Sequence, residues 1–156
     1  MRIMVINGPN LNLLGQREPG IYGDQTLGWI EGELRDLGSE LGMVVECLQS
    51  NHEGELVDLV QRGGRQSQGI VLNAGAYTHT SIALRDAVAA IATPVVEVHL
   101  SNPAARESFR QVSYLAGVCA GCVSGFGWQS YALALLWFAR QAGAGTCQAV
   151  VEGRRP

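Results

Sequence analysis

The chain has 156 residues, of which 47% are apolar and 16% charged, and its formal net charge is −3. That length suits one domain with a sizeable core, and the acidic balance excludes a nucleic-acid binder steered by a positive field. No apolar stretch reaches the length of a membrane span, and Met1 to Gly8 is too short and too soon broken for a signal peptide, so a cytoplasmic location is the default expectation.

Apolar runs alternate with helical spacings along the chain. Ile3 to Ile6 reads as a short buried strand, followed by a long loop from Asn7 to Gln25 whose part at about residues 17–24 is expected to act as a lid. Leu27 to Leu41 reads as a helix, with Leu27, Ile30, Leu34, Leu37 and Leu41 near helical spacing. Met43 to Leu48 is predicted as a strand, Glu53 to Gln66 as a helix, Ile70 to Leu72 as a strand and Ser81 to Ile91 as a helix. Val95 to Val98 and Val118 to Val123 complete the strands, and Gln129 to Gln141 is the last helix. The Gly- and Ala-rich tail, about residues 143–156, is expected to be frayed or loosely docked.

This β–α repetition predicts a single α/β domain over residues 1–156. It would be a flavodoxin-like doubly wound sheet of five parallel strands with helices on both faces. In such folds a ligand sits beyond the carboxyl ends of the strands, near a switch in strand order. The polar groups fall there: Asn7-Gly8-Pro9-Asn10, Ser50-Asn51-His52-Glu53, Asn73, and His99-Leu100-Ser101-Asn102 each follow a strand.

The residue inventory narrows the chemistry. The chain has no lysine, which removes both imine catalysis and the phosphate-loop lysine. Cys119 and Cys122 form a lone C-x-x-C without the second pair that a structural zinc site would want. With Cys47 and Cys147 they are expected to be structural thiols rather than redox groups or metal ligands. Few charges beside a large apolar share make an oligomer plausible.

Four constellations carry candidate chemistry. In the long loop, Arg17 lies near Tyr22 in sequence. A phenol is a poor base near its unperturbed pKa of about 10, but a neighbouring guanidinium favours the phenolate, so Tyr22 is a candidate general base with Arg17 as activator. The plain alternative is a surface arginine and an interface tyrosine. Glu97 and His99 sit at i and i+2 of one strand and share a face. The carboxylate can fix the imidazole tautomer, making His99 a candidate general acid and Glu97 its orienter, against the alternative of a satisfied structural histidine.

Asn73 to Thr80 runs from a strand into a helix, with Thr78 or Thr80 as cap and with Asn73 and His79 offering hydrogen bonds to hydroxyls. Asp86 lies seven residues beyond His79, two turns along the same expected helical face, although a solvated Arg85/Asp86 pair is the plainer reading. Leu100-Ser101-Asn102-Pro103 offers backbone N–H groups to a carboxylate near a helix start, and Arg106 and Arg110 follow one helical turn apart as candidates to face an anionic ligand. Ser124-Gly125-Phe126-Gly127 lacks the third glycine of a dinucleotide fingerprint and reads as a strand-to-helix turn.

Taken in order, these segments resemble one family. Asn7 to Gly15 with Arg17-Glu18-Pro19 and Tyr22-Gly23, Gln49 to Gly54, Gly75 to Ser81 with Leu84-Arg85-Asp86, and Glu97 to Pro103 with Arg106-Glu107 and Phe109-Arg110 are similar to the signatures of type II 3-dehydroquinate dehydratases. The match covers about residues 3 to 140. Ala74, where the family often has proline, and Ser130, where it often has glycine, are small departures.

The resemblance implies dehydration of 3-dehydroquinate to 3-dehydroshikimate, in the shikimate pathway of aromatic amino acid biosynthesis, without metal or organic cofactor. It implies Tyr22 as base, Arg17 as its activator, Asn10 holding a water against the enolate, and His99 backed by Glu97 as acid. The substrate carboxylate is implied near Leu100, Ser101 and Asn73, and the ring hydroxyls at His79, Arg110 and Asp86. The aspartate is implied to reach in from a neighbouring subunit of a dodecamer built of four trimers. Two rivals on the same fold fare worse: a flavin carrier would need a phosphate-cradling loop where Asn7 to Gly15 is leucine-rich, and a receiver domain would need a lysine.

Overall fold

The computed structural model describes residues 1–15 and 25–144. Arg17, Tyr22, Cys147, the lid expected at 17–24 and nearly all of the expected tail lie outside them. Five strands, β1 (Arg2–Asn7), β2 (Val44–Gln49), β3 (Gly69–Asn73), β4 (Val95–His99) and β5 (Gly121–Ser124), form one parallel sheet in the order β2-β1-β3-β4-β5. Four helices accompany them: α1 (Leu27–Glu40), α2 (Glu53–Gln66), α3 (Ile82–Ala89) and α4 (Gln129–Ala144). This is the expected flavodoxin-like α/β sheet, with a switch in strand order beside β1.

Strand alternation divides the core in two. Ile3 and Val5 of β1 point to one face, where Ile30 and Leu34 of α1 and Tyr131, Leu135 and Phe138 of α4 cover them. Met4 and Ile6 point to the other, under Leu56 and Val60 of α2 and Leu84 and Val88 of α3. The buried positions of α4 (Tyr131, Ala134, Leu135, Phe138) follow i, i+3, i+4, i+7, which presents one apolar stripe to the sheet.

Local chemistry sets the helix ends. The Thr26 hydroxyl caps α1 by accepting from Trp29 N at 3.2 Å. Glu53 and Glu55 in the first turn of α2, and Arg65 in its last, complement the helix dipole.

Three expectations need correction. The last strand begins at Gly121 rather than Val118, because Val118 and Cys119 turn back onto the Leu115 carbonyl at 2.9 and 3.1 Å. Neither Thr78 nor Thr80 caps α3: Ser81 does, accepting from Leu84 N at 2.9 Å, while Thr78 is turned toward Glu97. His79 closes a separate 3-10 segment, Gly75–His79, so it and Asp86 do not share a helix.

Candidate active site

The carboxyl ends of β1, β3 and β4 open into a cleft of about 110 Å³. Its walls include Asn10, Asn73, His79, His99, Leu100, Ser101, Arg106 and Arg110. All eight were singled out from sequence as candidate catalytic or ligand-facing residues, and they meet on one surface. They come from four separate stretches of chain, brought together because a parallel sheet lines up its strand ends.

The floor is a buried acid–imidazole pair. Glu97 has no exposed surface, and one of its carboxylate oxygens lies 2.8 Å from Nε2 of His99. The same oxygen accepts from the Thr78 hydroxyl at 3.0 Å, and the Ser113 hydroxyl approaches both carboxylate oxygens at 2.8 and 3.0 Å. Burial by itself pushes the Glu97 carboxyl up. The hydrogen bond and charge of His99, joined by the hydrogen bonds from Ser113 and Thr78, outweigh that and hold it below its ordinary 4.5. With Nε2 engaged by a carboxylate, Nδ1 is the His99 nitrogen left to exchange a proton with a ligand.

A second histidine is fixed in the same way. Nδ1 of His79 lies 2.7 Å from the Val112 carbonyl, which makes it the donor and leaves Nε2 as the other hydrogen-bonding atom. The two imidazoles stack at 6.5 Å between centroids, with 14° between their planes.

The remaining walls are equally tied down. Asn10 adopts a left-handed backbone, φ 66°, which asparagine tolerates better than most residues. Its N–H donates to the Asn51 side chain at 2.9 Å, and Asn51 in turn accepts from Gln49 at 3.0 Å and, through its carbonyl, from the Tyr77 hydroxyl at 3.1 Å. The Asn73 amide donates to the Tyr131 hydroxyl at 2.7 Å, while its side-chain oxygen accepts from Gly75 N at 3.1 Å.

After β4, Gly127 N donates to the Leu100 carbonyl at 2.9 Å, so the Ser124–Gly127 segment is a strand-to-helix turn that anchors the Leu100–Ser101 corner. The Ser101 N–H has no hydrogen-bond partner among the described residues. Arg106, extended just after the 3-10 turn Pro103–Ala105, and Arg110, at the end of the 3-10 turn Ser108–Arg110, stand at the rim in place of the single helical turn expected. Glu107 bridges them, at 2.9 Å from Arg110 and 3.5 Å from Arg106. An imidazole with a buried carboxylate behind it, an N–H corner and two guanidinium groups suit a small, anionic, hydroxylated ligand that exchanges a proton.

Asp86 stands apart from the cleft, exposed and paired with Arg85 at 3.0 Å. Sequence reasoning missed Thr78 and Ser113 as partners of Glu97, and Tyr131 as the anchor of Asn73. Hydroxyls in loops and one aromatic on a helix carry no local signal for such roles. Among the described residues, Glu97, His99 and Cys122 also bring potential metal-ligand atoms within 4.8 Å of one another.

Known proteins resemble this chain in sequence and in fold. The family model described as Dehydroquinase class II matches residues 1–139. A 3-dehydroquinate dehydratase of Parasynechococcus marenigrum is 60% identical over 135 residues, covering 86% of this chain and 92% of that protein. One of Rhizobium johnstonii is 56% identical over 133 residues, covering 85% and 92%. The crystal structure of the type II dehydroquinase of Propionibacterium acnes matches with a TM-score of 0.87 at 40% identity, over 89% of this chain and 96% of that one.

Fold, cleft and relatives together define an α/β enzyme of the lyase class. The chain belongs to the class II dehydroquinase family.

Proposed function

We propose that the protein eliminates water from 3-dehydroquinate to give 3-dehydroshikimate, through an enolate, as a step of the shikimate pathway of aromatic amino acid biosynthesis. The observation that carries this reading is the buried Glu97 carboxylate 2.8 Å from His99, set at the floor of a polar cleft. Glu97 holds the ring in place behind Nε2, so His99 is oriented to deliver a proton to a departing hydroxyl.

A proton alpha to a ketone is weakly acidic, so its removal needs a base and a stabilised enolate acting together. Tyr22 is the proposed base, with Arg17 favouring its phenolate, and Asn10 positions a water against the enolate oxygen. The Leu100–Ser101 corner and Asn73 hold the substrate carboxylate; His79, Arg110 and Asp86 hold ring hydroxyls. Residues 1–156 act as one catalytic domain, and closure of the segment at 17–24 over the cleft excludes water and strengthens these interactions. Asp86, remote from the cleft of its own chain, acts in a neighbouring site of a dodecamer made of four trimers. No helix among the described residues is long and apolar enough to cross a membrane, and the cytoplasm is the proposed place of work.

The test mixes pure protein with 3-dehydroquinate and follows enone absorbance. Tyr22→Phe is expected to bind substrate normally and give no product. Full activity in that variant would remove Tyr22 as the base, and no enone from the parent protein would remove the reaction.

A further inference from the structure

The C-x-x-C of this chain gains a meaning in three dimensions that its spacing does not carry. Parallel pairing of β4 with β5 sets Cys122 directly beside Glu97. His99 lies two residues further along β4, on the same face. One ligand atom from each of Glu97, His99 and Cys122 falls within 4.8 Å of the others, so a carboxylate, an imidazole and a thiol converge.

We propose that Glu97, His99 and Cys122 form a binding site for a thiophilic divalent cation such as zinc(II) or cadmium(II), and that its occupation shuts the enzyme off by capturing His99.

Ligand type and geometry favour this. Cysteine, histidine and carboxylate are the usual donors to a tetrahedral zinc, at bond lengths that put ligand atoms roughly 3.5 Å apart. The Glu97–His99 distance, 2.8 Å, is already shorter than that. Closing the set therefore asks for about an ångström of movement, and Cys122 supplies it, because it is exposed on an edge strand while its two partners are buried. Three protein ligands leave a fourth position to water, as in open zinc sites.

Binding is balanced as follows. The Cys122 thiol releases its proton to solvent, and its sulfur bonds the cation. One ring nitrogen of His99 gives the cation its lone pair, one ring proton resides on the other nitrogen, and the second proton of the acid form leaves to solvent. A Glu97 oxygen completes the set and exchanges the imidazole for the metal. No oxidant or reductant takes part.

A redox role for the same thiol is less suited. Partial burial of the sulfur in an otherwise exposed residue, and then the charge of Glu97, push Cys122 up to about 11, which leaves little of the nucleophilic thiolate at neutral pH. Cys119 belongs to a different arrangement: it is half-buried and packs against the apolar core on the α2–α3 face of the sheet.

Direct binding tests the site independently of the reaction; only the inhibition arm rests on the function proposed above. Full-length protein carrying Cys147→Ser is titrated with cadmium(II), and the ultraviolet charge-transfer band of a cadmium–thiolate bond is followed. One equivalent is expected to saturate the band in the parent and in Cys119→Ser and Cys47→Ser. Cys122→Ser and Cys122→Val, two variants that guard against a folding artefact in either one, are expected to lose it. His99→Ala is expected to weaken cadmium binding at least tenfold.

Dehydration should fall in step with the band and recover with chelator, while both Cys122 variants keep the parent's basal rate and lose cadmium sensitivity. No band in the parent, an equal band in the Cys122 variants, undiminished affinity in His99→Ala, or full activity with the band saturated would each overturn the proposal. A parent inactive toward 3-dehydroquinate that still shows the Cys122-dependent band would sink the functional reading and leave the metal site standing.

Discussion

The hydroxyl of Tyr131, in the first turns of the last helix, donates a 2.7 Å hydrogen bond to the side-chain oxygen of Asn7 at the end of the first strand. The same hydroxyl accepts from Asn73 at 2.7 Å. All three residues are buried, and burial pushes the Tyr131 phenol well above its ordinary range, which keeps it a neutral donor at any working pH. One hydroxyl thereby ties the central strands of the sheet to α4 and aims Asn73 at the cleft.

Tyr131→Phe strands two buried polar atoms. It is expected to lower stability by about 1–3 kcal/mol, read as a shifted urea midpoint. Asn73 would also lose its anchor, so KM for 3-dehydroquinate should rise by more than kcat falls. A variant with unchanged stability and unchanged KM would show that the triad neither supports the fold nor orients the site.

Gly8 marks a close backbone approach between the loops after β1 and β3. A Cβ added there would stand 2.5 Å from the Ala74 carbonyl oxygen, and Gly8 N already donates to the Asn73 carbonyl at 2.7 Å. Backbone cannot rotate away as a side chain can. Gly8→Ala is therefore expected to force the loops after β1 and β3 apart, at a cost of about 1–3 kcal/mol in urea unfolding and with a large loss of activity. Parent-like values of both would refute the tight contact.

Glu97 makes stability depend on pH in a definite direction. Its carboxyl is held below its ordinary 4.5 in the folded chain. Such a group stabilises the fold above its unfolded value, and the contribution fades as pH falls through the folded value. Glu97→Gln cannot ionise, so it should be less stable than the parent at neutral pH and approach it as the pH drops below 4.5. Urea midpoints measured across that range check the sign, and a gap independent of pH would contradict it. The variant should also turn over more slowly, because His99 loses its carboxylate partner.

Asp86 offers a test of site sharing. In this chain it is exposed and its nearest ion partner is Arg85, so Asp86→Ala is expected to leave stability within about 0.5 kcal/mol. If Asp86 serves a neighbouring site, Asp86→Ala and Tyr22→Phe chains refolded together should recover activity above that of either alone. Some mixed sites would then pair an intact Tyr22 with an intact Asp86. No recovery in assemblies shown to be mixed would place Asp86 outside the neighbour's site.

Much of the cleft was legible in the sequence for a simple reason. Asn10, Asn73, His99, Leu100 and Ser101 each follow an apolar run, and parallel strands bring such ends to one edge. The Glu97–His99 pair was readable from i, i+2 spacing alone. The limit of β5 was not, because Val118 is as apolar as a strand residue yet closes a turn on Leu115. Nor was the cap of α3: Ser81, Thr80 and Thr78 are all competent, and only the pull of Glu97 on Thr78 separates their roles.

By itself the sequence determined the α/β alternation, the faces of the helices, the absence of any lysine chemistry and the strand ends where a ligand belongs. These depend on residue type and on periods of two and 3.6, which are local properties. Only the tertiary structure decided that Thr78 and Ser113 satisfy Glu97, that Tyr131 holds Asn73, that Asp86 stands away from its own cleft, and that Cys122 lies beside His99. Those relationships join segments tens of residues apart, and the pairing register of the sheet, which no stretch of sequence contains, is what brings them within hydrogen-bond or ligand distance.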